Sequence, residues 1–364
     1  MHAQPAVRHS DAADTGPRRR AASGAFIERL AGPFRRSGAV AAMGSVAAAI
    51  GVAAITAGIT QQIAPVRSPA AAKTAPAGSF RLHPVVVTLP TNPASYLGAY
   101  ADGVPRSYAP IDSFAATTGV HPNVALYYSG WGEPFQSTFA IRAANHNAVL
   151  LVQIEPGHTR LGAIAAGDYD AYLESYANAV ASFGARTGHG VIIGFAHEPN
   201  GPWYRWGFGH VAPATWVAAW RHIVNVFRHQ GADNVTWLWT VNIIDSHGGI
   251  PSPARWWPGN SYVTWVGIDG YYYKPSWKFA PLFGPVIKAV RALTLDPILI
   301  SETAAAPAAG QPAKISDIFA GIHAYGLLGL VWFDASRSRD WRLTSPAAIA
   351  AFARGAKTFK GPAL

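Results

Sequence analysis

Two carboxylates in this chain stand where an apolar run stops. Glu198 comes just after Val191, Ile192, Ile193, Gly194 and Phe195, and Glu302 follows Pro297, Ile298, Leu299, Ile300 and Ser301. A carboxylate leaving a buried strand must be solvated, partnered or protonated, because burying a lone charge is costly or shifts its pKa. One protonated carboxyl that gives a proton and one ionised carboxyl that attacks an anomeric carbon are the pair a retaining glycosidase uses. Around Glu198 stand His197, Asn200, Trp203, Tyr204 and Trp206, which supply hydrogen bonds for hydroxyl groups and flat apolar faces for sugar rings. The plainer reading is a core strand whose His and Glu are hydrogen-bonded while the aromatics fill space, and for an isolated His-Glu dipeptide that reading comes first.

Other chemistries find no support. A zinc protease needs a second His one helical turn after the first, but that position is Gly201, and Pro199 breaks a helix there. There is no GxSxG elbow for a serine hydrolase and no phosphate-binding GxxxxGK[ST] loop. The absence of Cys excludes disulfides, thiol catalysis and Cys-bound zinc, and leaves the redox compartment open. No metal or other cofactor is expected.

The elements that position these residues follow from the hydrophobic pattern. Strand-like runs at 96–100, 123–128, 148–154, 190–196, 235–241, 264–269, 297–301 and 329–333 alternate with helical patterns, clearest at 169–186, 214–230 and 283–293. Eight of each make a (β/α)8 TIM barrel, for which about 250 residues is typical. The active site of such a barrel lies at the C-terminal ends of its strands. Those ends gather Trp131 after strand two, Glu155 with Pro156 and His158 after strand three, and His197 and Glu198 after strand four. They add Asp269 and Tyr271 to Tyr273 after strand six, Glu302 after strand seven, and Trp332 and Asp334 at strand eight.

The segment HEPNGPWYRWG, 197–207, resembles the acid/base loop of glycoside hydrolase family 26, best known for β-mannanases. The family pattern is HE, a variable residue, NG, two residues including an aromatic, and WG; this chain departs at Pro199, where Met is usual, and has Arg205 directly before Trp206. Those departures touch the shape of the loop more than the acid. Further matches are GIDG with Tyr271 after it, VWFDA at 331–335, Asp340-Trp341-Arg342, and Glu155-Pro156, so the resemblance covers about residues 95 to 355.

The resemblance implies Glu198 as acid/base at strand four and Glu302 as nucleophile at strand seven, with Tyr271 contacting the nucleophile. His197, Asn200, Trp203, Trp206, Trp131 and Glu155 are then expected to bind substrate, and Trp332 to floor the pocket. It also implies a polysaccharide or oligosaccharide substrate, β-1,4-mannan first, with mixed-linkage β-glucan and β-1,3-xylan as alternatives from the same family. A rival of another class is a membrane-tethered glycan-binding barrel without turnover; retention of both glutamates counts against it.

Charge is uneven along the chain. Of 29 basic and 19 acidic groups, residues 1–36 hold seven Arg against Asp11, Asp14 and Glu28, and Arg67 and Lys73 follow; from residue 79 onward 20 basic groups face 16 acidic ones. The net +10 is therefore largely a property of the N-terminal stretch, and no nucleic-acid partner is expected. Residues 1–37 read as a basic disordered tail. Residues 38–60 form an uncharged run long enough to cross a bilayer, with Arg35 and Arg36 before it placing the N-terminus inside. This segment is expected to be a signal anchor or a cleaved signal, residues 61–78 a Pro/Ala linker, and 79–364 a monomeric barrel on the outer face of the membrane or secreted.

Overall fold

The computed structural model describes residues 85–244, 249–337 and 339–362. The expectations for the tail, the apolar run 38–60 and the linker lie outside the described residues. Among the described residues no helix is long and apolar enough to cross a membrane.

Eight strands close into a barrel in sequence order, every neighbouring pair parallel. They are β1 (Tyr96–Pro105), β2 (Val124–Gly130), β3 (Val149–Glu155), β4 (Val191–Phe195), β5 (Val235–Asn242), β6 (Trp265–Tyr272), β7 (Ile298–Ala305) and β8 (Gly329–Asp334). The helices are α1 (Ala109–Thr118), α2 (Ser137–Asn145), α3 (Leu161–Ala165), α4 (Asp170–Thr187), α5 (Pro213–His229), α6 (Phe279–Arg291), α7 (Gln311–Ala324) and α8 (Pro346–Ala356). The expected helices over 169–186, 214–230 and 283–293 correspond to α4, α5 and α6. The last begins four residues early, since Phe279 and Phe283 share one buried face.

The one-to-one alternation fails at two places. The β3–β4 connection carries two helices, and the described part of the β5–β6 connection holds only two short 3-10 turns, at Pro253–Trp256 and Asn260–Tyr262. Pro251, Pro253 and Pro258 explain the second case, each removing a backbone donor that an α-helix there would need.

Core formation follows the apolar periodicity. On α5 the residues Trp216, Trp220, Ile223, Val224 and Phe227 are buried, a stripe at helical spacing that covers the sheet. Inside the barrel a polar layer replaces the usual aliphatic one: the Gln153 amide donates to Thr240 Oγ1 at 2.9 Å, and Ser301 Oγ donates to Asp269 Oδ1 at 2.6 Å. Room for that layer comes from glycine. A Cβ on Gly194 would lie 2.1 Å from Gln153 Oε1, and one on Gly267 would lie 2.5 Å from both Ser301 Oγ and Thr240 Oγ1.

Candidate active site

Glu198 is held by a strained turn. After β4 the chain passes through two residues in the left-handed region, Ala196 (φ 46°) and Glu198 (φ 53°), conformations that non-glycine residues adopt only where the surroundings fix them. The fixing bonds are all present. Ala196 N–H donates to Ile154 of β3 and Glu198 N–H to Thr240 of β5, while the buried indoles of Trp216 and Trp206 donate to the carbonyls of Ala196 and His197. Asn200 ties the same loop to β5: its amide donates to the Asn242 and Pro251 carbonyls and accepts from the Asn242 N–H. The side chain of Asn242 then donates to Glu198 Oε1 at 2.5 Å, and Trp203 Nε1 donates to Oε2 at 2.6 Å.

Glu302 is aimed by an irregularity in its own strand. Gly267 pairs with Leu299 and Asp269 with Glu302, and on the other edge Ile300 pairs with Leu330 and Thr303 with Trp332, so β7 carries one extra residue on each edge immediately around Ser301 and Glu302. Such a bulge re-aims a side chain. The carboxylate receives a hydroxyl on each oxygen, from Tyr128 and from Tyr271. Asp269 joins the two glutamates: it is Glu302's neighbour in register and shares a side-chain hydrogen bond with Glu198.

Burial acts on both carboxyls, and their hydrogen-bond partners differ. Burial raises the pKa of Glu198 to about 7, opposed by hydrogen bonds from Asn242, Trp203 and Asp269; Asp269 is itself raised by burial and by the charge of Glu198, so the pair retains a proton above the usual carboxylate range. For Glu302 burial pushes the pKa up to about 8, and the charge of Arg337 acts against it. Two phenol donors act against it as well, since a carboxyl accepting on both oxygens is stabilised in its ionised form. Glu155 is raised to about 8 by burial and by the charges of Glu133 and Glu198. His197 is lowered to about 3 by burial, so its imidazole is neutral.

The other residues expected to bind substrate divide. Glu155, partly exposed, lies 4.0 Å from His197 Nε2, and that nitrogen is 3.0 Å from the Tyr204 hydroxyl. Trp131 is partly exposed and packs on Tyr169, Tyr172 and Phe195. Trp203 touches the acid itself. Asn200 is wholly buried with its amide engaged by main-chain groups, and Trp206 is buried, stacked on Tyr204 at 4.3 Å with its N–H on His197, so both shape the loop. Trp332 does not floor the pocket. It is buried edge-on against Phe352 of α8, and the alternation along β8 turns the next residue, Phe333, to the other face, where it stacks on Tyr100 at 4.7 Å and lies 6.0 Å from Tyr271.

Three partners of the glutamates had no role assigned from sequence: Tyr128 and Asp269, which stand among the strand-end residues, and Asn242, which was not singled out. Each closes an apolar strand in a polar or aromatic residue, the same signal that marks Glu198 and Glu302.

Fold and site together define the class, a (β/α)8 barrel of the glycoside hydrolase type. The family is glycosyl hydrolase family 26, whose model matches residues 161–339, a span that holds both glutamates. Endoglucanase H of Acetivibrio thermocellus is 31% identical over 273 residues, 70% of this chain; the chain spans only 30% of the length of that relative. Among solved structures, a Bacillus subtilis mannanase superposes with a TM-score of 0.55 at 14% identity, covering 72% of this chain and 85% of its own. A family 26 β-mannanase from Bacteroides ovatus gives 0.52 at 15%, covering 72% and 89%. At that identity the two structures speak for the fold.

Proposed function

We propose that this protein is a retaining endo-β-glycosidase in which Glu198 is the acid/base and Glu302 the nucleophile. The single observation that carries the reading is the unequal setting of the two carboxyls. Glu302 accepts a phenol hydroxyl on each oxygen, whereas Glu198 sits buried beside the Asp269 carboxyl, a pair that retains a proton above the usual carboxylate range. In the first step a Glu302 oxygen bonds to the anomeric carbon while the glycosidic bond breaks and its oxygen takes the proton held at Glu198. In the second step Glu198, now ionised, removes a proton from water, the water oxygen bonds to the anomeric carbon, and the bond to Glu302 breaks. Glu155, His197, Tyr204, Trp131 and Trp203 are suited to hold sugar hydroxyls and ring faces around this pair.

β-1,4-Mannan is the first substrate, following the resemblance of the acid/base loop to family 26. One observation favours a second reading, β-glucan: the relative with 31% identity is named an endoglucanase, at twice the identity of the mannanase structures. Reducing-end release from mannan, lichenan, xylan and cellulose tests both. Cleavage of mannan or lichenan inside the chain supports the reading, and no cleavage of any polymer removes it in favour of a glycan-binding barrel. The basic stretch followed by an apolar run at 38–60 supports a barrel held at, or released from, the outer membrane face.

A further inference from the structure

Beyond the two glutamates, the loop between β6 and α6, residues 273–278, is placed by a helix that takes no part in the chemistry. Lys314 of α7 is buried, and its ammonium donates to the carbonyls of Pro275 and Trp277 at 2.5 Å each, with the Tyr272 ring 6.0 Å away. One turn further along α7, Asp317 accepts from the Phe279 N–H at 2.7 Å and from the Tyr272 hydroxyl at 3.2 Å. Gln311, on the same stripe, donates to the carbonyls of Ala305 and Arg342. Burying an ammonium is expensive unless its donors are satisfied. Here they are satisfied by main-chain carbonyls, so α7 sets where the loop's backbone runs.

What the loop carries is aromatic. Tyr273 and Trp277 are both partly exposed, perpendicular with centroids 5.6 Å apart. Tyr273 also meets Trp341 at 5.3 Å and Tyr271 at 6.4 Å, and Tyr271 is the residue whose hydroxyl reaches Glu302. The wall therefore starts at the nucleophile's own partner and runs outward along the rim of strands six to eight. Lys274 lies over the Trp277 ring at 5.9 Å and Arg339 over the Tyr273 ring at 5.4 Å, one cation against each aromatic.

We propose that Tyr273 and Trp277 form an outer platform for a glycan residue beyond those at the scissile bond, with Lys314 and Asp317 as its positioning residues. The ligand class is a neutral β-linked polysaccharide, recognised by stacking of a pyranose ring on the Trp277 face with the Tyr273 ring at its edge. The inference rests on the glycosidase reading for its substrate class, but its test does not need turnover.

The test combines affinity electrophoresis in mannan and lichenan gels, amide hydrogen exchange, and steady-state kinetics, on the full chain and on Trp277→Ala and Lys314→Met. Trp277→Ala should weaken polymer binding about tenfold, the size of one lost aromatic stacking contact. Its effect on KM should be several times larger for polymer than for an aryl glycoside too short to reach the loop. Lys314→Met should speed exchange of the Phe279 amide and its neighbours and weaken polymer binding in the same direction, while Lys314→Arg restores part of it. Retardation of the wild-type chain without any cleavage would keep the platform and remove the enzyme. No retardation of the wild type, equal retardation of Trp277→Ala, or unchanged exchange in Lys314→Met would overturn the platform.

Discussion

At the scale of single residues, the chemistry rests on what each carboxyl accepts. Replacing Glu302 by Ala removes the atom that bonds to the anomeric carbon, and turnover should fall on the order of 10⁴-fold or more, as for other covalent catalysts that lose their nucleophile. Azide, small enough to enter the space, should restore part of the activity and give a product of inverted configuration; full activity in Glu302→Ala would remove the residue from the mechanism. The two phenols have a separate signature. A hydrogen bond to a charged group is worth about 1.5–3 kcal/mol, roughly one to two pKa units, so Tyr128→Phe and Tyr271→Phe should each move the acidic limb of the kcat/KM profile upward by about one unit. A limb that stays in place in both variants would show that the phenols do not set the charge of Glu302. Glu198→Ala should cost far more on substrates with poor leaving groups than on activated aryl glycosides, because only the poor leaving group needs the proton.

At the scale of elements, the turn after β4 and the bulge in β7 decide where the glutamates point. The apolar runs made both strand ends readable from sequence, because a carboxylate after five buried residues has few places to go. Neither the left-handed pair Ala196 and Glu198 nor the extra residue beside Glu302 leaves a mark in composition, since both are imposed by neighbours on other elements, Ile154 and Thr240 for the turn and strands β6 and β8 for the bulge. Asn200 illustrates the gap. Its place in the loop suggested a hydroxyl-binding amide, but its partners lie on β5, and only the closed barrel brings them together. Asn200→Ala should lower stability by about 2 kcal/mol by leaving a buried N–H unpaired, and should reduce kcat by releasing Asn242 from Glu198. Denaturant unfolding and kinetics on the one variant check both parts; wild-type stability would show that the loop is held elsewhere. Trp332 failed for another reason: alternation along β8 is a matter of one residue, and Phe333 took the inner face.

For the whole molecule, a barrel that buries several carboxyls for chemistry is less stable at high pH than it would be without them. Glu155 binds its proton more tightly folded than unfolded, its pKa being raised from 4.5 to about 8. Its contribution is neutral below pH about 4.5, where both states are protonated, and grows unfavourable as the pH climbs toward 8. Glu155→Gln should therefore melt higher than the wild type at pH 8, with the gain shrinking to nothing near pH 4. Equal melting temperatures at pH 8 would mean that Glu155 is ionised at little expense. The barrel itself should stand alone: a chain of residues 79–364 is expected to fold and keep the full chain's activity, because β1, the first of the eight barrel strands, starts at Tyr96. An insoluble or inactive truncation would place part of the domain before residue 79.

Retaining hydrolysis requires that Glu302 bond covalently to the sugar. Incubation with a 2-deoxy-2-fluoro glycoside bearing a good leaving group, in the sugar series the protein cleaves, slows the second step more than the first and lets the intermediate accumulate. Peptide mass spectrometry of the trapped protein should then find the fluorosugar esterified to Glu302 and to no other residue, in a one-to-one ratio with lost activity. Full inactivation with the label on another carboxyl, or turnover of the reagent to an inverted product with no adduct at any time, would contradict it.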